Sequence, residues 1–490
     1  MADRLTALDA TFLELEEADQ GAHMHIGGVM IFDPREDGAA PPLDVVCRHL
    51  RPRLGSLPRY CQRLSEPHTG GLRWPEWRDQ PSFDLAAHVS RVRLPDPGGD
   101  DEVIEWASEF YSQRLDRTRP LWEIALIEGL ADDRWALATK THHCMVDGVG
   151  SVDVAYVILD QEPGGSDGEG PVDADRPTDG LPENEPERGQ GLTGTGWELA
   201  RRGGETVRRS VSSAARLALR PARAALDTAR SPHRAREAMH AARALVEVVV
   251  RDELIAAPRT CLNVPIGGKR RLGVARISLA EIKEIKNALG GTVNDVVLAL
   301  TAGAMRKLLL SRGEEPPAQG LRAMVPVNVR TAGEHLALGN KISSLFVALP
   351  VAEEDPLERY RAQVAEAESL KSGSGALGAA TMIDVSSLAP PILHSSLARS
   401  MYATRLFNLT ITNVPGPQQP LYAFGSRMRE VWPIVPLAAE HAIALAVLSY
   451  DGELFFTFNA DRDAVPDLDE ALNGIRESLA DLHALARGVS

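Results

Sequence analysis

Cysteine is scarce in this sequence, and its placement excludes two common kinds of scaffold. The 490 residues contain four cysteines, and no two of them are spaced as Cys-x-x-Cys. They lie far apart, at Cys47, Cys61, Cys144 and Cys261. Neither a disulfide framework nor a zinc site fits this spacing, so we predict isolated thiols in a reducing compartment and no bound metal.

Long apolar runs and an excess of positive charge are also missing. No stretch reaches the ~18 consecutive apolar residues of a membrane-spanning helix. The acidic first residues lack the apolar core of a signal peptide. The formal net charge is -15, whereas phosphate binding needs a basic face, so nucleic acid is not expected as a partner. These absences predict a cytoplasmic protein.

The chain is too long for a single hydrophobic core, which predicts two domains or more. Alternating strand-like and helix-like segments predict an α/β fold in residues 1–160 and again in residues 256–490. Strands are expected at 23–33, 121–130, 134–143, 321–330, 341–350 and 406–414, a strand followed by a helix at 271–289, and a hairpin at 441–459. Further helices are expected at 101–115, 148–160, 292–313 and 467–486.

Two segments of opposite charge separate these halves. Residues 161–199 are predicted to be a disordered acidic linker, because residues 160–190 hold ten acids and two arginines. Residues 200–255 are predicted to form a basic helical crossover, since residues 200–243 hold eleven arginines and three acids.

The most informative motif is HHxxxDG, formed by His142, His143, Asp147 and Gly148 at the end of an expected strand. Neighbouring side chains of a strand point to opposite faces. We therefore expect one imidazole to enter a cleft while the other supports the backbone. The same divergence disfavours a metal shared by both rings.

A cleft-facing imidazole has an ordinary pKa near ~6.5 and can take a proton from a hydroxyl, amine or thiol as a general base. Asp147 either orients that histidine or pairs with an arginine to hold the loop. Gly148 supplies backbone freedom that other residues lack. The motif alone is equally compatible with two core histidines beside an ordinary Asp-Gly turn.

The segment HHCMVDG resembles the signature of the condensation-domain and chloramphenicol-acetyltransferase-like acyltransferases. The wider pattern resembles one branch, the bacterial wax ester synthase/diacylglycerol acyltransferase family, over about residues 5 to 480. LDATFLELE (8–16) and MHIGGVMIF (24–32) are similar to its opening strand, Pro120-Leu121-Trp122 to its PLW element and Asn294-Asp295 to its ND element. Later similar segments are VPVNVR (325–330), GNKISSLFVALP (339–350) and TNVPGPQQPLY (412–422).

The resemblance implies two acyltransferase-like sandwich halves with the active site at their interface. It implies acyl-CoA as a co-substrate, no other cofactor, and diacylglycerol or a long-chain alcohol as the acceptor. His143 would be the base that deprotonates the acceptor hydroxyl, which then attacks the thioester directly. Asp147 would have a structural part, with Arg330 as its candidate partner. Thr412 departs from the serine that is common in such segments.

The sequence also suggests roles for four further residues. Asn294 either donates a hydrogen bond to the thioester oxygen or caps the 292–313 helix, where Thr292 is the alternative cap. Asp295 is expected to be structural, as a first-turn acid. Trp122 is expected to pack beneath the histidine-bearing strand rather than to contact substrate. His441 is expected to be a core histidine.

Two questions stay open at the level of sequence. The basic segment is a solvated face, a surface attracted to anionic lipid headgroups, or a site for CoA phosphates, so peripheral attachment to a membrane or lipid droplet is one alternative. The competing functions are a condensation-type enzyme that uses a carrier-protein thioester and a non-catalytic lipid-binding protein. No carrier segment is evident, and the intact HHxxxDG motif favours a catalytic role.

Overall fold

A computed structural model describes residues 4–65, 74–80, 83–145, 158–164, 256–328, 342–371 and 406–489. The helices in these ranges are α1 (Ala7–Ala18), α2 (Leu43–Arg53), α3 (Asp100–Ser112), α4 (Leu279–Leu289), α5 (Val293–Ser311), α6 (Pro356–Lys371) and α7 (Leu468–Val489). The strands are β1 (His25–Phe32), β2 (Gln62–Leu64), β3 (Trp77–Asp79), β4 (Val89–Arg93), β5 (Trp122–Glu128), β6 (Trp135–His142), β7 (Arg270–Ser278), β8 (Leu321–Asn328), β9 (Ile342–Leu349), β10 (Leu409–Pro415), β11 (Tyr422–Ala423), β12 (Ser426–Ile434), β13 (Ile443–Tyr450) and β14 (Glu453–Asp461).

The first of the two large sheets has the strand order β11-β12-β1-β6-β5-β4. Strand β1 is antiparallel to β6 on one side and to β12 on the other. A Cβ atom on Gly27 of β1 would lie 1.8 Å from the carbonyl oxygen of Thr139, so only glycine fits this close approach. Because β11 and β12 belong to the second half of the chain, the first sheet is completed by C-terminal residues.

The second large sheet has the order β7-β14-β13-β10-β8-β9 and packs against helices α4, α5 and α7. Its centre is the β13–β14 hairpin, whose turn residues Asp451 and Gly452 have φ angles of 48° and 86°. An Asp-Gly pair tolerates these left-handed angles, which is why the sequence predicts the hairpin correctly. The mixed α/β class expected from sequence is confirmed.

The N-terminal helix α1 connects the two cores. Phe12 and Leu15 of this helix, together with Met24 before β1, pack into the core of the second sheet although they stand at the start of the chain. Leu13 of the same helix packs into the core of the first sheet. Helix α1 is thus wedged between the two halves.

The expectation that residues 8–16 belong to an opening strand is wrong, because they lie within α1. The side chain of Thr6 accepts a hydrogen bond from the backbone of Asp9 and caps the helix. The region similar to the family's opening strand is therefore a helix followed by strand β1.

Several predicted segments fall on residues that the structure does not describe. They are the 148–160 helix up to residue 157, the acidic linker beyond residue 164, and the basic crossover of residues 200–255. The proposed domain boundaries at 160, 199 and 255 accordingly stay predictions.

Among the described residues, no single helix is long and apolar enough to span a bilayer. Only the pair α4 and α5, bent by 99° at their junction, passes that test when the two helices are taken together.

Candidate active site

His143 directly follows strand β6 and lies where the two cores meet. Its backbone N–H donates a hydrogen bond to the carbonyl oxygen of Met24 at 2.8 Å. Its ring stacks on the ring of Phe12, with centroids 4.0 Å apart and planes inclined by 15°. The His143 side chain is half-buried. Since Phe12 and Met24 belong to the core of the second sheet, His143 is carried by one half and held against the other.

His142 has entirely different surroundings and is fully buried. Its Nδ1 accepts a hydrogen bond from the backbone N–H of Cys144 at 3.1 Å. In a neutral ring the hydrogen must then be on Nε2, which lies 3.5 Å from Oε2 of Glu16. His142 therefore links a carboxylate of α1 to the backbone of the turn that carries His143.

Glu16 is the acidic residue behind this arrangement, and it is only 3% exposed. Burial by itself would raise the pKa of its carboxyl group, but the side chains of His142 and Arg117 hold that pKa well below its usual range. The shortest contact that stabilises the ionised carboxylate is the ion pair with Arg117, whose Nη2 atom lies 2.8 Å from Oε2 of Glu16. Glu16 is thus an ionised carboxylate under the HHxxxDG motif.

Sequence reasoning missed Glu16, because four acidic residues stand close together in LELEEAD and nothing in their order distinguishes the buried one. Two further histidines complete the cluster. Nε2 of His25 lies 3.6 Å from Oε1 of Glu16, and burial lowers the pKa of His25 well below its ordinary value. Burial, with Arg270 and Arg114, lowers the pKa of His23 to about 4. Both rings are therefore neutral near pH 7.

The PLW element leads into strand β5, which lies next to the histidine-bearing strand β6 in the same sheet. Trp122 is 1% exposed, pairs with Thr141 across β5 and β6, and donates from its indole N–H to the carbonyl oxygen of Tyr60 at 2.8 Å. Pro120 is buried, and its carbonyl oxygen accepts from the backbone N–H of Trp122. Trp122 is therefore a core residue, as expected, although it lies beside the histidine-bearing strand rather than beneath it.

The ND element begins helix α5. Thr292 is the N-cap, and Thr292 and Asp295 bond to each other's backbone N–H in a capping box. Asn294 lies in the first turn instead, so its alternative role as the cap is excluded. The Asn294 Oδ1 atom accepts a hydrogen bond from Nδ2 of Asn413 at 3.2 Å. The Asn294 Nδ2 atom is buried and bonds to none of the described residues.

Cys144 and His441 are both buried in the structure. Burial raises the pKa of the Cys144 thiol well above the ordinary value, so this cysteine, although it is next to His143, is a poor nucleophile. His441 is 2% exposed and stacks on Phe407, with both ring nitrogens near backbone carbonyl oxygens. This is the core position expected for it. Within the described ranges, no cluster of three or more potential ligands could hold a metal ion.

Asp147, Gly148 and Arg330 lie outside the described residues. The structural pairing of Asp147 with Arg330 therefore stays a prediction.

Comparison with solved structures places this architecture in a known class. The first condensation domain of the CDA synthetase superposes with a TM-score of 0.59 at 16% identity, covering 99% of this chain and 96% of that domain. A likeness at this identity concerns the fold alone, which is the chloramphenicol-acetyltransferase-like fold of two sandwich halves. The wax ester synthase/diacylglycerol acyltransferase from Marinobacter aquaeolei superposes better, with a TM-score of 0.65 at 25% identity over 99% of both chains.

The sequence comparisons are more specific. A model of the wax ester synthase/diacylglycerol acyltransferase catalytic domain matches residues 5–297, and a model of the family's C-terminal domain matches residues 338–483. A probable diacylglycerol O-acyltransferase of Mycobacterium tuberculosis is 31% identical over 488 residues, which cover 99% of this chain and 96% of the relative. The chain belongs to the wax ester synthase/diacylglycerol acyltransferase family, and it is an acyltransferase.

Proposed function

We propose that the protein is an acyl-CoA-dependent O-acyltransferase that esterifies diacylglycerol, long-chain alcohols, or both. The observation that carries the proposal is the position of His143 at the junction of the two halves, half-buried against Phe12. A base at this junction can meet an acceptor and an activated acyl chain that enter between the halves. The acyl-CoA is a co-substrate, and the proposed reaction needs no other cofactor.

In the proposed reaction, neutral His143 removes the proton from the acceptor hydroxyl as its oxygen attacks the thioester carbonyl carbon. The carbonyl π pair moves onto oxygen and returns when the carbon–sulfur bond breaks. The imidazolium then gives its proton to the departing CoA thiolate. The products are an ester and free CoA, no acyl-enzyme forms, and His143 returns to its neutral state.

The remaining motif residues have supporting parts. The Asn294 amide, aimed by its own hydrogen bond, donates from Nδ2 to the oxygen on which negative charge develops. Asp147 and Gly148 set the turn after His143, with Arg330 as the partner of Asp147. Ionised Glu16, acting through His142, holds the same turn from the buried side.

The decisive experiment offers the purified protein one labelled acyl-CoA together with diacylglycerol and a fatty alcohol in competition. The ratio of the two esters identifies the acceptor class. A carrier-protein thioester offered in place of acyl-CoA tests the condensation-type alternative, which predicts that this donor is preferred.

The variant that tests the general base is His143→Ala. We expect ester formation to fall by roughly 10²–10⁴-fold in this variant because the base is lost. His483→Ala is the control, since His483 pairs with Glu284 on helix α4 and lies outside the proposed site. Normal activity in His143→Ala would reject the mechanism. An inactive wild-type protein that binds lipid would favour the non-catalytic alternative.

We also propose that the protein acts at a lipid surface, at a membrane or lipid droplet, because its acceptors are poorly soluble and residues 200–243 are rich in arginine. Sedimentation with anionic liposomes at low and high salt tests this attachment. Absence of salt-sensitive binding would argue against it.

A further inference from the structure

Asn413 is a polar residue on a strand face that is otherwise apolar. Leu409 and Ile411 of β10 are fully buried in the core shared with helix α5. Side chains two residues apart lie on the same face of a strand, so Asn413 faces this helix as well. Its Nδ2 atom donates to Oδ1 of Asn294 at 3.2 Å. Strand β10 thus delivers one hydrogen-bond donor to the first turn of α5.

This contact fixes which end of the Asn294 amide is available. An amide group has an accepting oxygen and a donating nitrogen on opposite arms of a plane. With Oδ1 engaged by Asn413, Nδ2 must point the other way, and it is buried without a partner among the described residues. A buried donor left unsatisfied is costly, so this one is suited to an acceptor that arrives with the substrate.

The position of Asn294 adds to that suitability. It lies in the first turn of a 19-residue helix, where the backbone dipoles favour negative charge. The cap of that helix is already supplied by Thr292, so Asn294 is not needed to close it. The Asn294 side chain is therefore available for a partner outside the helix.

We infer that Asn413 is a positioning residue that orients the Asn294 amide, so that Nδ2 donates to the thioester oxygen of the acyl donor. The inference rests on the proposed function and adds to it a residue to which the sequence analysis assigned no role. Asn413 itself does not touch the reacting atoms. By donating to Oδ1 of Asn294, Asn413 leaves the Nδ2 atom of Asn294 to face the thioester oxygen.

The test compares Asn413→Asp with Asn413→Leu, two variants of similar size. A carboxylate can only accept, so Asp at position 413 should attract Nδ2 of Asn294 and turn Oδ1 toward the thioester. We expect kcat of Asn413→Asp to approach that of Asn294→Ala, a loss of roughly 10²–10³-fold. Asn413→Leu, which leaves the amide unoriented, should lose less. KM for acyl-CoA should change little in both variants.

A double-mutant cycle separates orientation from a purely structural role or from charge repulsion. In an Asn294→Ala background, Asn413→Asp should cause no further loss of kcat. Thermal unfolding of each variant shows whether it is folded. If Asn413→Asp does not fold, Asn413→Leu completes the same cycle, with a loss in the wild-type background and none in Asn294→Ala.

Equal losses in both backgrounds, or a wild-type kcat in Asn413→Asp, would overturn the inference. Full activity of Asn294→Ala would also overturn it, while leaving His143 as the base. Failure of the proposed function itself would be distinct, because the wild-type protein would then form no ester or His143→Ala would keep its activity.

Discussion

At the scale of single residues, the histidine motif depends on side chains that are distant in sequence. Glu16 stands 126 positions before His142, yet their side chains approach to 3.5 Å. Glu16 also forms an ion pair with Arg117, which forms a second ion pair with Glu17. A buried carboxylate paired with an arginine stays ionised near neutral pH, so the negative charge beside His142 does not change in that range.

Replacing Glu16 by Gln should destabilise the protein by about 1–3 kcal/mol at pH 7, because Arg117 and His142 lose a charged partner. The folded-state pKa of Glu16 lies below the unfolded value of 4.5, so its stabilising effect is complete above about pH 5 and declines as the pH falls below 4.5. Denaturant unfolding of both proteins at pH 7, 5, 4 and 3.5 measures this. A constant difference over that range would contradict it.

A second pH effect belongs to His23, whose pKa is lowered from 6.5 to about 4 by burial. Between these values the unfolded chain binds a proton that the folded protein refuses, so stability is lost as the pH falls from 6.5. His23→Gln should reduce that loss, by up to about 1.4 kcal/mol per pH unit over this window. Unfolding midpoints from pH 7 to 4.5 test the effect, with His483→Gln as a control, and parallel curves for His23→Gln and wild type would refute it.

At the scale of elements, the start of helix α5 divides two tasks between adjacent residues. Thr292 and Asp295 close the helix through their capping box. Asn294 points elsewhere and bonds to Asn413 on strand β10. Sequence alone could not separate these tasks, since Thr and Asn are both good N-cap residues.

The division predicts opposite outcomes for two alanine variants. Thr292→Ala should lower the free energy of unfolding by about 1 kcal/mol through loss of the cap, with little effect on kcat. Asn294→Ala should affect stability less and kcat much more. Denaturant unfolding and steady-state kinetics of both variants provide the comparison. A larger stability loss in Asn294→Ala would show that the cap has been wrongly placed.

At the scale of the whole molecule, the two halves are joined by exchanged elements rather than by a single surface. Strand β12 completes the first sheet beside β1, with Val29 opposite Trp432. In the other direction, Phe12, Leu15 and Met24 enter the core of the second sheet. Each half is therefore incomplete without residues from the other.

This exchange predicts that residues 1–255 do not fold alone. Without β12, the long edge of β1 is unpaired and Trp432 is missing from the core. The fragment should be insoluble or lack a cooperative unfolding transition, whereas co-expression with residues 256–490 should give an active complex. As a control, the full chain cleaved after folding, at a protease site inserted between residues 164 and 256, should stay associated. Cooperative unfolding of the isolated fragment would argue against the exchange.

The amino-acid order alone is enough to predict several local elements and the chemistry of the site. Period-two and helical patterns predicted β5, β6, α3, α5 and the β13–β14 hairpin, because each depends on neighbours within a few positions. The rarity of HHxxxDG and its agreement with other spaced segments indicated the family. These strands, helices and motifs can be read from the sequence because each is specified by residues that are close together in the chain.

The side chains that surround the motif are set by packing between distant segments of the chain. The placement of Glu16 under His142, the stacking of His143 on Phe12 and the bond between Asn413 and Asn294 all join distant parts of the chain. Residues 8–16 form a helix rather than part of a strand, and Thr6 caps the start of that helix. The same acidic or amide side chain is solvated in one fold and buried in another, so its role follows from packing between elements, which no local pattern records.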